Sequence, residues 1–288
     1  MIDTLSNVLS SVTRKTAFIP GMYFITKPLH KIFTRHYSKD EKNAWRTISL
    51  NGYKMKLNLA HRMASLVYWR GAHEWAPMFL MQNELKKGMV FYDIGANIGE
   101  FSLFSAHLVG AEGKVYSFEP MNETYEVLKE NIALNKYENR ITPFHIALSD
   151  KNGEADLFSA TEADDLGSVE DGFHTLYARN DRSVLLYKIK LEKLDDKKDI
   201  LPPDFIKIDV EGAELFALKG AYETLEKHHP KIMMEFSSVN AKAAGYTQND
   251  LLDLLKQLGY KFYTIENRGV LKELNTSQLP EFANLLCV

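Results

Sequence analysis

From about residue 89 onward, short apolar runs alternate with helical periodicities, and no other feature restricts the fold so much. "MVFYDI" (89–94), "KVYSFE" (114–119), "ITPFHIA" (141–147), "DFIKID" (204–209) and "KIMMEF" (231–236) read as buried strands. Gly99 to Leu108 forms a first helix, and Tyr125, Leu128 and Ile132 share one face of a second. Leu215, Leu218, Tyr222 and Leu225 share one face of a third. Thr247 and Asp250 predict a capping box for a helix carrying Leu251, Leu254, Leu255 and Leu258. "KFYTIE" (261–266) and "FANLLCV" (282–288) supply the last strands. Alternation with short connections demands parallel strands joined by right-handed crossovers, hence a doubly wound α/β sheet. Its ligand belongs at the carboxyl ends of the strands, beside the first one.

The beat breaks once, between residues 150 and 203. "GEADLFSA" and "SVLLYKIKLEKL" look like two strands of an insertion between the third and fourth strands, enclosing "TEADDLGSVEDG" as a solvated loop or a substrate-side flap. Residues 1–88 read as a separate N-terminal appendage, a candidate substrate cap, and residues 89–288 as the ligand-binding domain. The appendage carries expected strands in "WRTISLNGYKMKLNLA" and a helix near "RMASLVYW". Residues 14–36 hold Arg14, Lys15, Lys27, His30, Lys31, Arg35 and His36 without an acid, interleaved with apolar side chains. Such a segment suits an anionic membrane surface or an acidic substrate. Pro20, Gly21 and Pro28 interrupt any long continuous helix there, which favours an extension packing its apolar side on the main domain. The net charge of −3 gives no reason to expect nucleic acid as a partner. A single cysteine, Cys287, excludes an intrachain disulfide or a Cys-rich zinc site and fits a reducing compartment. With no apolar run near the ~20 residues of a spanning helix and no signal segment, a cytoplasmic location is expected.

"FYDIGANIGEFSLF" (91–104) sets a glycine turn directly after the first strand. A dinucleotide loop needs its second glycine close to the pyrophosphate and its third for packing. Counting from Gly95, those positions are Asn97 and Glu100, and no Gly-Lys-Ser/Thr follows for a Walker loop. A nicotinamide-dependent oxidoreductase is therefore the weaker reading, and a non-catalytic protein that keeps the cofactor fold without turnover is a further alternative. S-adenosylmethionine, with a sulfonium, an ammonium and no phosphate, fits better. Gly95 lets the backbone pass against the ligand, and Asp93 organises the loop and faces the ammonium. Glu119, 20 residues after Gly99, suits a bidentate grip on both ribose hydroxyls. Phe118 and Met121 are candidates to cover the adenine, and Ala147 and Leu148 to offer backbone groups to its edge. His145, in the third strand, is expected to be a core histidine.

These motifs together resemble the FkbM family of S-adenosylmethionine-dependent methyltransferases. The resemblance runs through "GAHE" (71–74), D-x-G-A-N-x-G, "VYSFEP" (115–120), "NIALN" (131–135), "ALSD" (147–150), "FIKIDVEGAE" (205–214) and "KIMMEF". It implies a class I methyltransferase (Rossmann-like) fold, a seven-stranded sheet with its last strand antiparallel. It also implies O-methylation of a hydroxyl on a sugar, glycan or natural product. Among cofactor-binding residues it implies Asn97, Gly99 and Pro120 beside Gly95 and Glu119, and Glu74 closing over the methionine end.

Three acids end the fourth and fifth strands: Asp209, Glu211 and Glu235. Methyl transfer to an alcohol needs the oxygen about 3 Å from the methyl carbon and a base within reach of its proton. Asp209 or Glu211 is the candidate base, with the others orienting substrate hydroxyls, and Asp209 also borders the cofactor. The competing arrangement is a divalent cation held by Asp209 and Glu235. It is not preferred, because hard cations need more oxygen ligands than these acids supply. For Glu211 alone, capping of the next helix or a salt bridge to Lys207 is the plainer role. Tyr68, Trp69 and Trp75 either stack on a sugar or pack the appendage.

Overall fold

The computed structural model describes residues 2–16, 22–50, 52–159, 174–176 and 184–288 of the chain. "TEADDLGSVEDG" and residues 17–21 lie outside the described residues. The contacts divide the chain into two units, the second beginning at Trp75.

The first unit holds helices α1 (Ile2–Thr16) and α2 (Met22–Tyr37), the hairpin β1 (Trp45–Leu50) and β2 (Tyr53–Asn58), and helix α3 (Arg62–Arg70). Pro28 sits inside α2, so the helix continues through it, contrary to the expected interruption. Tyr68 and Trp69 are fully buried within this unit and meet edge-to-face at 5.3 Å, while Phe33 packs on Trp69 at 5.0 Å. Both side chains are thus spent on packing. Arg14 donates to the Tyr68 carbonyl (2.6 Å) and Thr13 to that of Trp69 (2.7 Å), which ties α1 to α3.

The second unit opens with α4 (Trp75–Glu84), which buries Met78, Leu80 and Met81. Then follow β3 (Val90–Ile94), α5 (Glu100–Val109), β4 (Lys114–Phe118), α6 (Asn122–Leu134), β5 (Ile141–Phe144) and β6 (Ala147–Leu148). The insertion contributes β7 (Gly153–Ser159), β8 (His174–Thr175) and β9 (Val184–Glu192). Next come β10 (Phe205–Ile208), α7 (Glu214–Lys219), α8 (Tyr222–His228), β11 (Lys231–Ser237), α9 (Ser238–Ala243) and α10 (Gln248–Gln257). The chain ends in β12 (Phe262–Ile265), β13 (Leu271–Glu273) and β14 (Phe282–Cys287). The main sheet runs β13-β12-β14-β11-β10-β3-β4-β5, with β11, β10, β3, β4 and β5 parallel and β14 antiparallel to its neighbours. It is the class I arrangement with an eighth strand. The extra one, β13, is a three-residue exposed edge with no apolar period to announce it.

Two elements of the second unit depart from the sequence reading. The third strand stops at Phe144, and Ala147–Leu148 leaves the main sheet to pair with Leu191 and Glu192 of β9. His145 falls in that gap, exposed and stacked on Tyr125 at 4.6 Å, so it is not a core histidine. The third helix is split into α7 and α8 at Gly220, where a Cβ would stand 1.9 Å from the Ser149 carbonyl oxygen. The capping box at Thr247 and Asp250 forms as read.

Candidate active site

Strand alternation builds the site. In the parallel register Asp93 lies beside Ser117 of β4 on one side and Lys207 of β10 on the other. One face of the sheet therefore carries a row of polar groups, while Ile206 and Ile208 point to the apolar core. Asp93 is wholly buried; its Oδ2 accepts from Ser102 Oγ (2.5 Å), which in turn meets Ser117 Oγ (2.7 Å). Burial pushes the Asp93 carboxyl up, and Lys207, with Nζ 3.7 Å from Oδ1, opposes that. Asp93 thus organises the turn from beneath it, and its carboxylate has no open surface.

The turn after β3 spends every amide on the protein. Gly95 and Ala96 N–H both donate to the Phe118 carbonyl (3.0 Å each), and Asn97 N–H donates to Glu119 Oε2 (2.7 Å). Ile98 N–H donates to Asn97 Oδ1 (2.7 Å) and Gly99 N–H to the Ala96 carbonyl (2.9 Å). Anion-binding loops work by presenting free N–H groups; here residues 95–99 have none to present. Gly95, at φ +82°, owes its glycine to the protein rather than to a ligand, since a Cβ there would lie 1.9 Å from the Asp209 carbonyl oxygen.

Glu119 bridges the two halves of the rim. Its Oε1 accepts from Met121 N–H (2.9 Å) and Thr124 Oγ1 (2.8 Å), while Oε2 accepts the Asn97 amide alone. Burial pushes this carboxyl up and the three donors oppose it. A carboxylate oxygen has two lone-pair directions, so Oε2 keeps one for a ligand hydroxyl. Phe118 is buried in the core against Phe144 (5.1 Å), so it does not cover a ligand. Pro120 lies between Glu119 and the partly exposed Met121. Met121 and Ala147 pack on Leu157, Ile189 and Leu191 of the insertion sheet. Tyr187 of β9 donates to Glu123 Oε2 (2.8 Å) and accepts from Asn122 N–H (2.6 Å), pinning that sheet to the start of α6.

Across the turn, Asp209, Glu211 and Glu235 each place a carboxylate oxygen within 4.8 Å of the other two. The Asp209 side chain is 42% exposed, and its Oδ2 lies 3.4 Å from Lys207 Nζ. Burial, then Asp209 and Glu211, push Glu235 up to about 10, so it carries a proton at neutral pH. Asn240, on α9, donates from Nδ2 to Glu211 Oε2 (3.0 Å) and Glu235 Oε2 (2.9 Å). Glu211 takes φ +52° to reach it. The capping that sequence offered to Glu211 is done by Glu214, which accepts from the amides of Val210 and Gly212 and from Tyr246 Oη. Lys207 pairs with Asp93 and Asp209. Lys207, read from the sequence only as an ion-pair partner of Glu211, and Glu214 and Asn240, which sequence reasoning passed over, are all site residues. A charged side chain in an otherwise apolar strand, "FIKI", was the available signal for the first. Glu74 belongs to the first unit, as its last residue before α4.

A model of the methyltransferase FkbM domain matches residues 93–262. The hexuronic acid methyltransferase AglP of Haloferax volcanii is 26% identical over 163 residues, covering 57% of this chain and 62% of that protein. The 31-O-demethyl-FK506 methyltransferase FkbM of Streptomyces tacrolimicus is 29% identical over 161 residues, covering 48% of this chain and 61% of that protein. The chain thus spans about three-fifths of the length of these relatives. A solved structure of a methyltransferase FkbM from Methylobacillus flagellatus superimposes with a TM-score of 0.43 at 21% identity, covering 69% of this chain and 43% of that one.

Proposed function

Because the chain belongs to the methyltransferase FkbM family, whose methyl donor is S-adenosylmethionine, we propose that it methylates a hydroxyl of a sugar, glycan or related polyol. Membership sets aside the oxidoreductase alternative. The observation that carries the cofactor assignment to these residues is the turn at 95–99, whose amides are all consumed. A turn without free donors, ringed by carboxylates, suits a ligand with positive charge and no phosphate. When bound, S-adenosylmethionine supplies an electrophilic methyl group on a sulfonium. Glu119 would hold the ribose through Oε2, and Gly95, Asn97 and Gly99 would line the methionine side. Met121, Pro120, Ala147 and Leu148 would line the adenine side.

At the other rim, Asp209, whose side chain is 42% exposed, serves as the base that takes the acceptor's hydroxyl proton. Glu235, holding its own proton, and Glu211 orient neighbouring hydroxyls, one as donor and one as acceptor. A polyhydroxylated acceptor matches that mixed set. The relative named for hexuronic acid is consistent with a carbohydrate acceptor. The approach of three carboxylates favours a second reading, a divalent cation. The metal-free reading is preferred, because Asn240 Nδ2 aims a donor at two of the three, using lone pairs a cation would need.

Calorimetric titration with S-adenosylhomocysteine and with NAD(P)⁺ tests the assignment: only the first is expected to bind, and binding of NAD(P)⁺ alone would overturn it. Glu119→Ala is expected to weaken S-adenosylhomocysteine binding about tenfold or more. With a methyl acceptor in hand, Asp209→Asn is expected to cut turnover far more than cofactor affinity.

A further inference from the structure

We propose that Lys207 is a positioning residue for the methionine end of the cofactor, acting through the glycine turn and not by touching the ligand. This rests on the methyltransferase reading above. The Lys207 side chain is 6% exposed, which leaves it no reach to a bound molecule. Its Nζ lies 3.0 Å from the Gly95 carbonyl oxygen, 3.7 Å from Asp93 Oδ1 and 3.4 Å from Asp209 Oδ2. One ammonium therefore ties together the end of β3, the turn that follows it and the end of β10. Phe101, on the first turn of α5, places its ring 5.0 Å from the same nitrogen.

Two observations make this more than a buried ion pair. First, Asp93 Oδ1 is buried and accepts no hydrogen bond, so the ammonium compensates that oxygen by charge alone. Second, the turn is anchored asymmetrically. Its amides fasten Gly95, Ala96 and Asn97 to the end of β4, through Phe118 and Glu119. On the β10 side, the Gly95 carbonyl is held by Lys207. Gly95 passes so close to the Asp209 backbone that no side chain fits between them. Removing the ammonium releases the Gly95 carbonyl, at the start of the turn to which the methionine end is assigned. The β4 side, where Glu119 is assigned the ribose, stays fastened by its own hydrogen bonds.

The test exploits that asymmetry. S-adenosylhomocysteine and 5′-methylthioadenosine share the adenosine and the thioether, but the second lacks the amino-acid end. Both are titrated calorimetrically into the wild-type chain, into Lys207→Met and into the double variant Lys207→Met/Asp93→Asn. The double variant removes both charges and so leaves no unpaired ion in the core. It carries the test if the single variant fails to fold. The expected result is an S-adenosylhomocysteine affinity lower by about tenfold, with 5′-methylthioadenosine changed by less than about twofold. An unchanged S-adenosylhomocysteine affinity would overturn the proposal. An equal loss of both ligands would also overturn it, since that is what a purely structural lysine does. Failure of the wild-type chain to bind S-adenosylhomocysteine would instead overturn the cofactor assignment itself, and the proposal with it.

Discussion

Glu235 is the residue whose chemistry departs furthest from its type. An unfolded glutamate titrates near 4.5, whereas here the carboxyl is pushed up to about 10 by burial and by Asp209, Glu211 and Glu214. Between those two values the unfolded chain has lost a proton that the folded chain keeps. Stability from this group is thus complete below about pH 4.5 and is lost progressively as pH rises from there towards 10. Glu235→Gln, which cannot ionise, is expected to flatten that slope, so its melting temperature should exceed the wild type's at pH 8 and approach it at pH 5. A lower melting temperature at both pH values would refute the assignment. Gly95 makes a harsher demand. Gly95→Ala forces a methyl group onto the Asp209 carbonyl and a side chain into φ +82°, and is expected to cost about 3 kcal/mol in urea denaturation. The sequence pattern marked Gly95 without its neighbour in the Asp209 backbone, because a glycine needed by a ligand and one needed by an adjacent strand look the same in one dimension.

At the level of elements, what could be read in advance was periodic and what could not was a matter of packing. The strands at 90–94, 114–118, 205–208 and 231–237 stand where predominantly apolar runs stand. The break of the third strand at Phe144 was hidden, since "ITPFHIA" has the same run but is drawn off to meet β9. The split between α7 and α8 was hidden too, because only the Ser149 backbone, distant in sequence, shows why position 220 is glycine. The acids at the strand ends were legible from the doubly wound topology, whereas Asn240 was not, being a small amide on a short helix with no pattern of its own. The insertion sheet meets α6 through Tyr187 Oη, which bonds both Asn122 and Glu123. Tyr187→Phe is expected to lose about 1 kcal/mol and to speed hydrogen exchange at the Asn122 amide. An unchanged exchange rate there would show the contact to be idle.

For the molecule as a whole, the division before Trp75 places every assigned cofactor residue but Glu74 in one unit. A chain beginning at Trp75 is therefore expected to fold and to bind S-adenosylhomocysteine. Loss of S-adenosylhomocysteine binding in that chain, with binding kept in the full chain, would refute the expectation. The first unit keeps Val8, Val12, Ile32, Lys27 and Lys31 exposed, which retains the basic and apolar character read from its sequence. Among the described residues no helix is long and apolar enough to cross a membrane. The consumed amides at residues 95–99 carry one last consequence. Adenosine is the commonest handle in the small-molecule pool, shared by ATP, NAD and coenzyme A, so a pocket that grips ribose alone would be flooded by competitors. Here the exclusion is written into the main chain, whose donors are already committed to the end of β4 and to the turn itself. Only the Asn97 and Ile98 amides, held by the Glu119 and Asn97 side chains, would be freed by a side-chain exchange, and in the wild-type chain ATP in large excess is expected to leave S-adenosylhomocysteine binding undisturbed.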